Sequence, residues 1–261
     1  MHFDLADQYH PRSSFLHRLD PRVKVVIVIA FILAAGLMPV AAWGGFLGLW
    51  LLALVASLAS GLGVTFALRR SYVALPFVLV AIPLLFTVPG QPLFTMPILG
   101  WTASVEGTQR FLTLLLRAWI AIQAAILLTA VTPFPDILWA LRSLRLPRLL
   151  VATIGFMFRY LFVLADETTN MLRARSARSA RGAGSRRPSI VWQARVAGNM
   201  VGSLFLRALE RSERVHAAML ARGYSGEIPA LARRAMSRSD WLAAAAAVLI
   251  LTGLTAWAHT G

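Results

Sequence analysis

Charged side chains are missing from Val25 to Leu68, a run of 44 residues. As one helix that run would reach roughly twice the ~30 Å hydrocarbon thickness of a bilayer. Met38-Pro39 and Gly44-Gly45 punctuate it, so the pattern predicts two spans, near 23–39 and 43–62, closed by Arg69-Arg70. A third apolar segment, about 71–90, carries Pro76 and Pro83 as kinks. The uncharged stretch 88–100 is broken by Pro89, Pro92 and Pro97 and reads as an outer loop. A fourth span is predicted over about 108–131, stopping at Thr132-Pro133-Phe134-Pro135. The fifth, 241–258, has Trp241 and Trp257 at its two ends, the levels at which aromatic belts sit.

The same pattern changes character in 132–239. Asp136 to Leu146 predicts a short amphipathic helix, with Asp136 favourable at its N-terminus. Pro147 opens a long helix through Tyr160 to about Arg178, and Ser185-Arg186-Arg187-Pro188 breaks the chain. A second long helix is predicted from about Ser189 to Arg222, stopping at Gly223. Its apolar side includes Trp192, Val196, Met200, Leu204 and Leu209, and Glu210 with Arg214 forms an i,i+4 pair on the other. The stretch 149–165 is apolar enough to tempt a further span. Arg159 interrupts it, and crossing there would carry the arginines from Arg173 to Arg187 to the opposite side.

Charge sets the orientation. Of 26 basic residues, 18 fall between residues 132 and 239. Arg12, Arg18, Arg22 and Lys24 precede the first span, while the turn between spans one and two has none. The positive-inside rule therefore predicts a cytosolic N-terminus, five spans and an external C-terminus. The expected fold is an all-α polytopic membrane protein with about five transmembrane helices and long cytosolic helices. It divides into residues 1–131 (N-terminal segment and spans one to four), 132–239 (cytosolic helices) and 240–261 (span five).

Composition removes several kinds of chemistry. Only 14% of the residues are charged against 58% hydrophobic, far from the balance of a soluble globule. Lys24 is the single lysine and stands in no Gly-rich loop, so a phosphate-binding loop of the Walker type is excluded. The absence of cysteine excludes disulfides, thiolate metal sites and Cys nucleophiles. The spans hold no Asp or Glu for a proton relay, and no nucleophile and base for an intramembrane enzyme. We expect no catalytic residue, no cofactor and no resident metal. Met1-His2 with Asp4, Asp7 and His10 has ligand chemistry, but ordinary polar N-termini look the same, and His17, His216 and His259 lack the spacing of a zinc motif.

Two features remain. Arg117 sits about ten residues into the fourth predicted span, too deep for easy snorkelling, and no acid in the spans can pair with it. Backbone carbonyls, Gln123 or another subunit must serve, which makes a structural role the expectation. Each long helix also ends on arginines among small residues: Ala177-Arg178-Ser179 and Ala180-Arg181-Gly182 on the first, Ala221-Arg222-Gly223 on the second. Such an end is good local chemistry, with Arg offsetting the macrodipole and Gly giving a left-handed cap. A guanidinium flanked by small side chains can equally enter a partner's pocket and pair bidentately with a carboxylate.

Several stretches resemble one family. They are Leu16-His17-Arg18-Leu19-Asp20-Pro21-Arg22-Val23-Lys24, TPFPDILWALRSLRLPRLL (132–150), FRYLFVLADE (158–167) and LERSERVHAAMLARGYSGE (209–227). Together they resemble the transmembrane coupling subunit, of the EcfT or CbiQ type, of energy-coupling-factor ABC importers, most closely the cobalt-transport branch. The resemblance implies a non-catalytic subunit of the bacterial inner membrane serving cobalt transport and, through it, cobalamin biosynthesis. It implies as partners two ATP-binding cassette ATPases and a metal-binding membrane substrate subunit, with or without a small accessory membrane subunit. It also implies two coupling X-Arg-X motifs. Ala221-Arg222-Gly223 matches the second, and the first falls on Arg178 or, counted back from Arg222, on Arg181. Nickel as cargo stays open. So does a membrane anchor whose basic segment binds anionic lipid, although the long amphipathic helices would then be surplus. Nucleic acid is not an expected partner.

Overall fold

The computed structural model describes residues 9–10, 12, 14–63, 66, 69, 71–95, 102–178, 189–226 and 236–260. Among them the chain is all-α apart from one small hairpin, and it is a polytopic membrane protein. Its described residues separate into two compact units, one of those within 9–144 with 236–260, the other of those within 145–226.

The larger unit holds a short helix α1 (Phe15–Arg18), then α2 (Pro21–Leu37) and α3 (Trp43–Ala59). Asp20 caps α2, its carboxylate accepting from the Arg22 backbone N–H at 2.9 Å with Pro21 in the first turn. At 17 residues each, α2 and α3 extend roughly 26 Å, at the lower limit of the lengths that cross a ~30 Å hydrocarbon core. The segment predicted as the third span is broken, as its prolines require: a 3₁₀ turn at Ser71–Ala74, then α4 (Leu75–Ala81) and α5 (Leu84–Thr87), with Pro83 at the break. The predicted outer loop contains an antiparallel pair, β1 (Pro92–Thr95) and β2 (Thr102–Ser104). The prolines forbade helix there but left extended backbone allowed.

Helix α6 (Val105–Val131) starts at Ser104, whose hydroxyl accepts from the Gly107 N–H at 2.9 Å. It is followed by α7 (Phe134–Ser143), which packs on α2. There the Arg22 guanidinium lies 4.1 Å above the Trp139 ring. The last helix, α10 (Arg238–Thr260), also packs on α2 and on α3. The core joins four helices through Phe31, Met38, Phe46, Leu49, Ile120 and Leu251.

Three contacts set the directions of these helices. The Asp20 N–H donates to the Asp240 carboxylate at 3.1 Å, so α2 and α10 begin side by side and run parallel. A Cβ on Gly48 would fall 2.6 Å from Leu254, and one on Gly44 2.8 Å from Trp257. The start of α3 thus meets the end of α10, and a Cβ at either glycine would push the Leu254 or Trp257 side chain aside. Ala41 N–H donates to the Thr113 hydroxyl at 3.3 Å, while the His10 N–H reaches the Ala130 carbonyl at 3.0 Å. Helix α6 therefore runs against α2 and ends beside the N-terminal segment.

The smaller unit is built on α8 (Arg148–Arg178) and α9 (Ile190–Ala221), within two residues of the predicted limits. Ser189 caps α9, its hydroxyl accepting from Trp192 N–H at 3.2 Å. By length and composition α6, α8 and α10 can each cross a membrane. For α8 this differs from the expectation, which kept residues 149–165 out of the bilayer because of the arginines that follow.

Candidate functional site

The candidate site lies on the ends of α8 and α9. Helix α9 closes in a Schellman motif. The Gly223 N–H donates to the Leu220 carbonyl at 3.0 Å and the Tyr224 N–H to the Met219 carbonyl at 3.0 Å. Gly223 adopts φ +76°, and no described residue lies within 4 Å of where its Cβ would stand. Glycine is needed there for the backbone sign, not for space. Arg222 is the capping residue at φ −92°, and Ala221, Arg222 and Gly223 are all exposed. Among the described residues the Arg222 guanidinium has no hydrogen-bond or ion-pair partner.

Arg178 is the last residue of α8 and is exposed. It lines a groove of about 630 Å³ between α8 and α9 that mixes apolar side chains such as Met171, Val196 and Met200 with charged ones. Along that groove Arg207 pairs with Glu167 at 2.6 Å, and Arg175 stands 5.7 Å over the Trp192 ring. Arg178 enters neither pair. Glu210 and Arg214 meet at 3.8 Å, as their spacing predicts, on a face exposed enough for the pair to be worth little. Arg181, the alternative first motif, lies outside the described residues. A Cβ on Gly198 or Gly202 would meet nothing within 4 Å among the described residues, so neither supports a close helix contact there.

Arg117 donates through Nη2 to the Met38 carbonyl, the group that closes α2. A carbonyl is thus its partner, and the Gln123 amide is not. Gln123 Nε2 and Arg117 Nε are both buried without a partner among the described residues. Sequence reading passed over Lys24 as a flanking charge. Lys24 is only 7% exposed and donates to the His17 carbonyl at 3.2 Å and the Val131 carbonyl at 3.5 Å. No local signal could reveal this, because Val131 is 107 residues away.

Of the residues weighed for metal binding, Met1, His2, Asp4 and Asp7 lie outside the described residues. No group of three or more His, Asp or Glu that could hold an ion occurs among the described ones. His17 is occupied structurally. Its Nε2 donates to the His10 carbonyl at 3.1 Å, so Nδ1 accepts from the Ser14 hydroxyl at 2.7 Å. Burial, with lesser help from Lys24 and Arg12, pushes its pKa below the usual histidine value.

With this geometry in hand, the comparisons with known proteins fix the class. The profile of the family described as "Cobalt transport protein" (CbiQ) matches residues 12–231, and the chain belongs to that family. The "Energy-coupling factor transporter transmembrane protein EcfT" of Brevibacillus brevis is 30% identical over 85% of this chain and 84% of its own. The "Cobalt transport protein CbiQ" of Rhodobacter capsulatus is 30% identical over 49% of this chain and 50% of its own. An uncharacterized protein of Methanocaldococcus jannaschii is 25% identical over 90% of this chain and 80% of its own. The chain is a transmembrane subunit of an energy-coupling-factor transporter.

Proposed function

We propose that this subunit couples two ATP-binding cassette ATPases to a separate metal-binding membrane subunit in an importer for cobalt. The observation that carries the reading is the pair of exposed arginines, Arg178 and Arg222, closing the two long helices of one compact unit. Arg222 has no intrachain partner among the described residues, as a side chain meant for another protein's carboxylate requires. Two such ends suit two ATPases whose approach and separation must reach the membrane. Arg178 takes the first coupling position in this reading, with Arg181 as the alternative.

The chain itself is non-catalytic, and its N-terminus and the 132–239 region face the cytosol of a bacterial inner membrane. The exposed apolar side chains of α9, among them Val201, Phe205 and Leu206 at 60% or more, support a further apolar partner. The substrate subunit fills that place. Cobalt as cargo follows the family description and the Rhodobacter relative, and nothing in this chain selects cobalt over nickel.

Purification of the tagged chain from its native membrane tests the reading. Two ATPase copies per subunit, lost on Arg222→Ala while the chain still inserts, is the expected result. A chain recovered with no ATPase, or an Arg222→Ala variant that keeps the full complement and normal uptake, sinks it.

A further inference from the structure

Inside the larger unit a half-open cavity of about 350 Å³ lies among α2, α3, α6 and α10. Its origin is a change in helix spacing. At one end α3 and α10 touch through Gly44 and Gly48 against Trp257 and Leu254. Towards the other end the facing residues are Ala53 and Ala56 on α3 and Ala243, Ala246 and Ala247 on α10, too small to fill the gap. The cavity reaches from Lys24 up to Phe31 along α2, roughly 10 Å of helix, which fits within one leaflet of a ~30 Å core. That leaflet is the one bordered by Arg18, Arg22 and Lys24.

The volume is in the range of small-molecule sites, and the lining is almost wholly apolar. A void this large is costly to leave empty, and walls whose polar side chains are only Lys24 and Thr132, at one end, hold little water along the rest. Two lining residues, Ala246 and Ile250, are exposed. They continue the exposed apolar stripe of Leu242 and Leu249, each 71% exposed, on the outer face of α10. The mouth therefore opens sideways into the hydrocarbon.

We infer that this cavity is a lipid site, holding one acyl chain of a bilayer phospholipid inserted between α3 and α10. The chain fills the space the alanines leave and holds the two helices apart at this end. The inference rests on α2, α3 and α10 crossing the bilayer and is independent of the ATPase-coupling reading.

The full-length chain in nanodiscs, supplied with a phospholipid carrying a diazirine in mid-chain, provides the test. Photolabel should concentrate on residues 53–56 and 243–250, above the level at Leu33, an exposed site on α2 (59%). Ala247→Leu should lower label in the cavity by roughly tenfold and leave Leu33 unchanged. In delipidated detergent, readded phospholipid should raise the melting temperature of the wild type more than that of Ala247→Leu. Ala53→Val, a smaller filling, serves if the leucine variant fails to fold. Label spread evenly over exposed apolar faces would overturn the site. So would cavity label undiminished by either filling, or label abolished only by co-expressing a partner membrane subunit, which would make the cavity a protein seat.

Discussion

Lys24 and Arg117 each cap the other's helix. Lys24, in the first turn of α2, donates to the Val131 carbonyl at the end of α6, and Arg117 on α6 donates to the Met38 carbonyl at the end of α2. Fourteen residues separate Lys24 from Met38, and fourteen separate Arg117 from Val131. The two cations therefore mark one register, about 21 Å apart along an antiparallel pair. Each sits at the negative end of its partner's macrodipole, where a positive charge is favourable.

This arrangement predicts what replacing Arg117 does. A hydrogen bond from a charged group contributes about 1.5–3 kcal/mol, while a buried donor left without a partner, as Arg117 Nε is among the described residues, costs about 1–3 kcal/mol. The two nearly cancel. Arg117→Met should then change stability in lipid by no more than about 1 kcal/mol and leave transport intact. Arg117→Glu, which faces the Met38 carbonyl with the wrong sign, should cost about 3 kcal/mol or more. Thermal unfolding in nanodiscs distinguishes them. Equal losses in both variants would mean that Arg117 serves a different partner.

The second prediction is the side on which the chain ends. The Asp20–Asp240 hydrogen bond places the starts of α2 and α10 together, and α6 returns to that same level at Val131. Val131 and Asp240 accordingly both lie at the Lys24 end of the larger unit. With Arg12, Arg18, Arg22 and Lys24 inside, as the positive-inside rule predicts, the C-terminus is expected outside. A phosphatase reporter fused after Gly261 should be active in the periplasm, and a cytosolic reporter there should be silent. The reverse pattern would invert the topology and strand Arg178 and Arg222 away from any cytosolic ATPase.

A third concerns pH. His17 lies before the first span, and its pKa is lowered in the folded chain by burial above all. The unfolded chain therefore takes up a proton first as pH falls. Stability should be unaffected above the ordinary histidine value of ~6.5 and should decline below it, levelling once the folded form is protonated too. Melting temperature followed from pH 8 to 5 should drop less in His17→Gln than in wild type. An identical drop would place the sensitivity elsewhere.

Local chemistry and long-range geometry were unequally legible in the sequence. Ser189, Gly223 and the prolines at 133 and 135 announced helix ends through capping and missing donors, and α7, α8 and α9 begin and end close to where those signals stand. The hairpin of β1 and β2 was not legible, because proline excludes helix without specifying strand pairing. Neither was the burial of Lys24 or the Asp20–Asp240 link, whose partners lie 107 and 220 residues away. For the candidate site, the Ala-Arg-Gly run foretold the cap that Arg222 and Gly223 form. Its meaning for a partner came from family likeness, since a free guanidinium at a helix end carries no signature of what it binds.

The last prediction separates cap from coupling at that motif. The Schellman closure depends on Gly223 at φ +76°, and the macrodipole is served by any cation at position 222. If the motif were only a cap, Gly223→Ala would be the damaging change, at about 1 kcal/mol, and Arg222→Lys would be silent. If Arg222 enters an ATPase pocket, the order inverts. Removing one partner of a buried charge-assisted pair costs about 2–5 kcal/mol of association, well over tenfold in affinity. Arg222→Lys should recover little of it, because an ammonium cannot reproduce the two-pronged guanidinium contact. ATPase retention and uptake, measured for Arg222→Ala, Arg222→Lys and Gly223→Ala in one membrane preparation, give the ranking. Coupling requires both arginine variants to fall well below the glycine variant. The same pair of substitutions at Arg178 and at Arg181 identifies the first coupling arginine as the one whose lysine variant fails. Normal transport by Arg222→Lys, with loss confined to Gly223→Ala, would reduce the motif to a helix terminus.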